Sequence, residues 1–268
     1  MSEEKLFDDG RILLRRSGDV GTVVFNHPQR LNAMRLSMWQ ALSQAVAELS
    51  DMPGLRAAVF QGTGGHAFVA GADISEFKDV RSGRDAVEAY DDAVEAAETA
   101  IAALTVPTIA AIRGYCIGGG LGIAVRCDIR LATTSAEFAL TPARLGIGYR
   151  PAGVKALLRC VSPSVAADLL FSARSLSAAE ALEAGLVNRV FRDEDFEKGS
   201  SSYISRIAAN APLSVRAAKA ALQELVRPVE EQDLTRVEAL INACFESEDY
   251  SEGHTAFLEK RKPRFTGQ

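Results

Sequence analysis

The segment Ile109–Asp128, IAAIRGYCIGGGLGIAVRCD, constrains the fold of this chain more than any other. The apolar, β-prone run Thr108–Ile112 that leads into it predicts a buried strand. After a turn come three consecutive glycines, Gly118, Gly119 and Gly120, and then Leu121–Val125, which can open a helix. Glycine lacks a Cβ, so a glycine-rich strand-to-helix turn lets a ligand approach the bare backbone. The first amides of the helix have no internal partners and stand at the positive end of its dipole. Such a turn suits a phosphate, a carboxylate, or an oxyanion that exists only during a reaction. It equally suits close packing of a helix on a strand, with no ligand at all. The dinucleotide fingerprint and the P-loop are excluded, because neither G-x-G-x-x-G nor G-x-x-x-x-G-K-[ST] occurs.

Around this segment, strands and helices alternate. Arg11–Arg16 and Val20–Asn26 read as a hairpin turned by Ser17-Gly18-Asp19. Ser37, with Gln40 three residues on, predicts a capping box for a helix that buries Met38, Trp39, Leu42, Val46 and Leu49. Arg56–Gln61 is β-prone, and a second glycine-rich stretch follows from Gly62 to Asp73, where Asp73 can cap the turn begun by Ile74. Val87, Tyr90, Val94, Ala97, Ile101 and Leu104 form one apolar helix face. The acidic residues between them, Asp85, Glu88, Asp91, Asp92, Glu95 and Glu98, read as its solvated face. Ile129–Thr133 and Val187–Phe191 are further strands, and Phe138–Arg150 is loop-rich. Ser162 before Pro163 and the box Ser177–Glu180 mark helix starts. From Asp195 onward the chain reads as helices, broken near Asn210–Pro212, Arg227-Pro228 and Asp249–Ser251. That order argues an α/β fold with a helical C-terminal region.

The composition excludes several classes of function. With 268 residues and a net charge of −5, the chain has room for a large core and no basic footprint for nucleic acid. No apolar run reaches the roughly 18 residues that a membrane helix needs. The acidic start, MSEEKLFDDG, is unlike a targeting peptide, so a cytoplasmic location is expected. Cys116, Cys127, Cys160 and Cys244 form no C-x-x-C pair and read as core residues, while His27, His66 and His254 share no ligand spacing. No metal site is expected. Ser75-Glu76-Phe77-Lys78 matches the S-x-x-K of serine acyl-enzymes by chance, since its companion motifs S-D-N and K-T-G are absent.

Five stretches taken in order carry a resemblance: FNHPQRLNAM, HAFVAGADISEF, PTIAAIRGYCIGGGLGIAVRCDIRLAT, SLSAAEALEAGLVNRV and EGHTAFLEKRKPRF. Together, over about residues 11–265, they resemble the enoyl-CoA hydratase/isomerase superfamily, the crotonases. The resemblance implies a crotonase-like spiral of ββα units over residues 1–195 that carries an acyl-CoA site. Residues 196–268 would then be a helical region that assembles trimers or paired trimers. Two backbone amides would grip the thioester oxygen and stabilise an enolate, and matched residue by residue they belong to Ala72 and Gly119. Coenzyme A contacts fall on Arg30, Ala33, Ala70, Ala72, Asp73, Ile74, Ser75, Gly119 and Gly120. From the C-terminal tail, Phe257 and Lys260 join them, often across a subunit boundary. Coenzyme A is here part of the substrate, and no separate cofactor is implied.

The chain departs from the family where protons move. Hydration needs two carboxylates that hold one water between them. Gly122 stands in the place of the first and Pro142 in the place of the second, so efficient hydration is not expected. Glu137 and Arg144 flank the second position and face solvent as readily as a site. Tyr149 ends a loop, Thr141–Tyr149, that resembles the corresponding loop of methylmalonyl-CoA decarboxylases. Those enzymes need an oxyanion hole but no base, although they carry a histidine where Ala72 stands. Three readings follow: a hydratase/isomerase-family enzyme with relocated proton-transfer groups, an acyl-CoA decarboxylase using Tyr149, and a non-catalytic acyl-CoA- or RNA-associated homologue.

Overall fold

Three strands open the chain as an antiparallel meander: β1 (Glu3–Phe7), β2 (Ile12–Ser17) and β3 (Val20–Phe25). The structure is a computed structural model that describes residues 3–76 and 83–268, so Phe77 and Lys78 of the S-x-x-K match lie outside the described residues. After α1 (Leu36–Ser50), β4 (Ala57–Gly62) pairs parallel with β3. The chain then steps to a strand of a second sheet, β5 (Ala67–Ala70), before α2 (Arg84–Ala103). This step repeats. β6 (Thr108–Ile112) lies beside β4 and β7 (Tyr115–Ile117) beside β5, and α3 (Gly119–Arg126) follows. Then β8 (Ile129–Thr133) lies beside β6 and β9 (Glu137–Ala139) beside β7, with α4 (Pro151–Leu158) and α5 (Pro163–Ser172) after them. A last step adds β10 (Leu176–Ser177) to β9, then α6 (Ala178–Glu183), then β11 (Arg189–Phe191) to β8. The result is the expected spiral of ββα units.

The main sheet is buried on both faces, which is why its central strands read as unbroken apolar runs. Ala58 and Phe60 of β4 and Ala110 and Ile112 of β6 face the large core beneath α1 and α2. Their alternates Ala57, Val59, Ile109 and Ala111 meet Phe196 on the opposite face. Phe196 begins α7 (Phe196–Ala208), the first of four C-terminal helices. The others are α8 (Pro212–Leu225), α9 (Leu234–Phe245) and α10 (Glu248–Leu258).

One buried cation ties α8 to the spiral. Lys219 Nζ donates to Val106 O and to Asp128 Oδ2, both at 2.8 Å. Asp128 also accepts from Thr108 N and Oγ1 at the start of β6. Lys219→Met keeps the stem and removes the donor, leaving a carbonyl and a carboxylate short of one partner each. Chemical denaturation should show a loss of about 2 kcal/mol, the usual contribution of a hydrogen bond to a charged group.

Several local expectations need correction. Ser37 caps nothing, because α1 begins one residue earlier and Ser37 lies inside its first turn. The cap comes from afar: Glu76 Oε1 accepts from Leu36 N at 2.6 Å, and Oε2 pairs with Arg35 at 3.2 Å. The break near Asp249–Ser251 is displaced to Glu246–Ser247, since Ser247 caps α10 by accepting from Tyr250 N. Asp249 instead holds the tail, accepting from the Thr266 and Gly267 amides at 2.6 and 2.9 Å. The short strands of the second sheet, and β1, went unread; two to five residues carry too little periodicity to register.

Candidate active site

Both glycine-rich turns end at one cavity of about 220 Å³. Ala72 enters it through a parallel bridge to Met34. Met34 N donates to Gly71 O and Asp73 N donates to Met34 O, both at 2.8 Å. A bridge of this form consumes groups of the flanking residues, so the N–H of Ala72 itself points to the other side. Gly119 is the first residue of α3, so its N–H has no acceptor within the helix. Gly118 turns the chain into that helix with φ +55° and ψ −116°, a conformation open to glycine alone, and its N–H is fixed to Ala139 O at 2.9 Å. A Cβ on Gly119 would lie 2.9 Å from the ring of Trp39, whose indole N–H donates to Tyr90 Oη at 3.1 Å. Ala72 and Gly119, from separate turns, therefore both line one cavity, together with Trp39, Tyr90, Glu98 and Arg126.

The glycine triplet divides its work. Gly120 does not line the cavity; it is buried against Val69, whose carbonyl and side chain leave no room for a Cβ. Packing alone explains it, whereas Gly119 borders the site.

Of the expected coenzyme-binding residues only Ala72 and Gly119 line the cavity, but Arg30, Ala33, Ala70, Asp73, Ile74 and Ser75 lie on two linked segments next to Ala72. Ala70 N donates to Leu31 O at 3.1 Å, which clips the Arg30–Ala33 loop to the end of β5. Asn32 is fully buried beneath that loop. Its Oδ1 accepts from His27 N at 2.8 Å, and its Nδ2 donates to Thr63 O and Ala67 O at 3.0 and 2.8 Å. Ala33 is buried and Arg30 exposed. Asp73 caps the next turn as expected, accepting from Ser75 N and Oγ at 3.0 and 2.6 Å. Burial pushes the Asp73 carboxyl up, but these bonds and the charges of Arg30 and Arg35 outweigh it and hold it below its ordinary value. Ile74 and Ser75 are exposed beside it. Phe257 and Lys260 are not brought to this cavity. Phe257 lines a separate groove among the C-terminal helices, and Arg261 beside Lys260 is occupied by Glu252 and Glu259.

Gly122 and Pro142 both line the cavity, while Glu137 and Arg144 are exposed away from it. Tyr149 lines it too, its ring seated against α4 where a Cβ on Gly153 would touch it at 2.8 Å. Among the described residues no hydrogen bond uses its hydroxyl. Burial first, and the charge of Glu98 second, push that phenol well above its ordinary value, with Arg126 opposing.

Glu98 corrects the reading of α2's acidic face. It is 8% exposed, lines the cavity, and pairs with Arg126 of α3 at 2.9 Å. Burial raises its carboxyl above the ordinary value, and Arg126 opposes the rise. A signal was present, since Glu98 lies four residues after Val94 and three before Ile101, on the apolar stripe itself. Among the described residues no three His, Cys, Asp or Glu side chains gather as a metal site, and no helix is long and apolar enough to cross a membrane.

A spiral of ββα units with helical C-terminal elements defines a class of fold, and comparison with known families agrees. The enoyl-CoA hydratase/isomerase family model matches residues 15–268, and this chain belongs to that family. A probable enoyl-CoA hydratase of Mycobacterium tuberculosis is 35% identical over 258 residues, 95% of this chain and 97% of that protein. The methylmalonyl-CoA decarboxylase of Escherichia coli is 31% identical over 251 residues, 92% of this chain and 95% of that one. Among solved structures, an enoyl-CoA hydratase/carnithine racemase from Magnetospirillum magneticum superposes with a TM-score of 0.90. It is 35% identical, and the match covers 99% of this chain and 97% of that one.

Proposed function

We propose that this protein binds an acyl-CoA thioester with its carbonyl oxygen between the N–H groups of Ala72 and Gly119, and stabilises the enolate formed there. The observation that carries this reading is that Ala72 and Gly119, from separate turns, both line one cavity. Charge that develops on the thioester oxygen would meet preformed dipoles, which need no reorganisation as the reaction proceeds. Arg30, Ala33, Ala70 and Asp73–Ser75 form the rim along which the nucleotide portion would lie. Phe257 and Lys260 would reach coenzyme A only from a neighbouring subunit of a trimer or a dimer of trimers. In support, Phe257 is 81% exposed on the single chain.

Calorimetry with acetyl-CoA should show one saturable site per chain. No binding at millimolar ligand would overturn the reading. Hydration of crotonyl-CoA should be slow, because neither Gly122 nor Pro142 can move a proton. A turnover number above about 10³ per second would contradict that expectation. Tyr149 favours a second reading, decarboxylation, since it lines the cavity, no hydrogen bond among the described residues uses its hydroxyl, and a decarboxylase stands among the relatives. Release of CO2 from methylmalonyl-CoA, lost in Tyr149→Phe, would support it, and binding of that thioester without CO2 release would exclude it.

A further inference from the structure

Gly122 has no side chain, and the space its side chain would fill is occupied from another helix. An ideal Cβ on Gly122 would lie 2.5 Å from Oε1 of Glu98, which reaches across from α2. The other carboxylate oxygen is committed elsewhere. Oε2 accepts from Arg126 Nε at 3.0 Å and pairs with Arg126 Nη2 at 2.9 Å. Arg126 Nη2 also donates to Ala152 O of α4 at 3.3 Å, so the guanidinium is braced between two elements and sets the carboxylate's rotation. Among the described residues no hydrogen bond uses Oε1. A purely structural ion pair would draw no benefit from a bare oxygen on a cavity wall, where burial disfavours the charge. A proton-transfer group needs that combination of one anchored oxygen and one open one.

We propose that Glu98, through Oε1, is the proton-transfer residue of this site, replacing by position the carboxylate that Gly122 cannot supply. Oε1 takes a proton from the carbon adjacent to the thioester carbonyl. The C–H electron pair becomes the enolate double bond, and the carbonyl π pair moves to the oxygen held by Ala72 and Gly119. Reversal returns the proton from Oε1 to carbon and restores both carboxylate and thioester, so no oxidant or co-reactant is required. The rise in the Glu98 carboxyl brings it nearer to the working range of a general base. A single carboxylate serves proton transfer at one carbon, which agrees with poor hydration by a site that lacks two.

The inference rests on the acyl-CoA reading, and one experiment separates them. Butyryl-CoA is incubated with the protein in buffered D2O, and deuterium at the carbon next to the carbonyl is followed by NMR, with calorimetry on the same samples. The wild type should bind and exchange. Glu98→Gln should bind within threefold of the wild type and exchange at least 100-fold more slowly, within the usual contribution of a general base. Binding without exchange in the wild type, or exchange in Glu98→Gln within threefold of it, overturns the role of Glu98 and leaves the oxyanion reading standing. No binding overturns both. If Glu98→Gln does not fold, the double variant Glu98→Ala/Gly122→Glu decides. It returns a carboxylate to the same space from α3, so exchange in it supports the proposal and its absence overturns it.

Discussion

Replacing Ala72 with proline should slow enolate formation by about 10²–10³-fold, equivalent to about 2.7–4 kcal/mol of transition-state stabilisation. The substitution deletes one N–H, and it also fixes φ near −65° and places a ring against Gly71 at φ +83°, so folding is measured alongside. The bridge to Met34 uses Gly71 O and Asp73 N, both of which remain. The readout is the same deuterium exchange of butyryl-CoA, with circular dichroism to confirm folding. Ala72→Ser keeps the amide and should stay within tenfold of the wild type. Exchange by Ala72→Pro at the wild-type rate would remove the Ala72 amide from the chemistry and leave Gly119 as the sole donor.

Asn32→Ala should cost about 3–5 kcal/mol of stability, the largest effect expected from a single change outside the apolar core. Three partners, His27 N, Thr63 O and Ala67 O, lose their bonds to a fully buried side chain. Each buried group left unsatisfied costs roughly 1–3 kcal/mol before relaxation. The backbone adds to this, since Asn32 sits at φ +57°, where asparagine is tolerated and alanine is strained by about 1 kcal/mol. Asn32→Asp keeps the acceptor for His27 N but sets a carboxylate oxygen against the Thr63 and Ala67 carbonyls, so it should cost at least as much as Asn32→Ala. A denaturation midpoint for Asn32→Ala within 1 kcal/mol of the wild type would contradict this account. The same loop carries Arg30 and Ala33, so acyl-CoA affinity should fall along with stability.

Much of this was legible because it is written in short-range pattern. The hairpin at Ser17–Asp19, the stripe Met38–Leu49 of α1, and the caps at Ser162 and Ser177 depend on residues within one or two turns of each other. The Gly118–Gly120 turn is also local, and the family that the motifs around it resemble is the family to which the chain belongs. The acidic face of α2 was misread at Glu98 for the opposite reason. A carboxylate on an apolar stripe conflicts with its neighbours until Arg126, 28 residues away, is placed beside it.

The sequence by itself determined the central strands of the main sheet, most of the helices, the two glycine-rich turns, and the absence of glutamates at 122 and 142. Only the tertiary structure decided that Glu76 caps a helix 40 residues earlier, that four short strands form a second sheet, and that Glu98 fills the space beside Gly122. Local pattern records what each residue prefers within a turn or a strand. Which distant side chain occupies a neighbour's empty volume depends on how the elements pack, and close packing allows only one occupant.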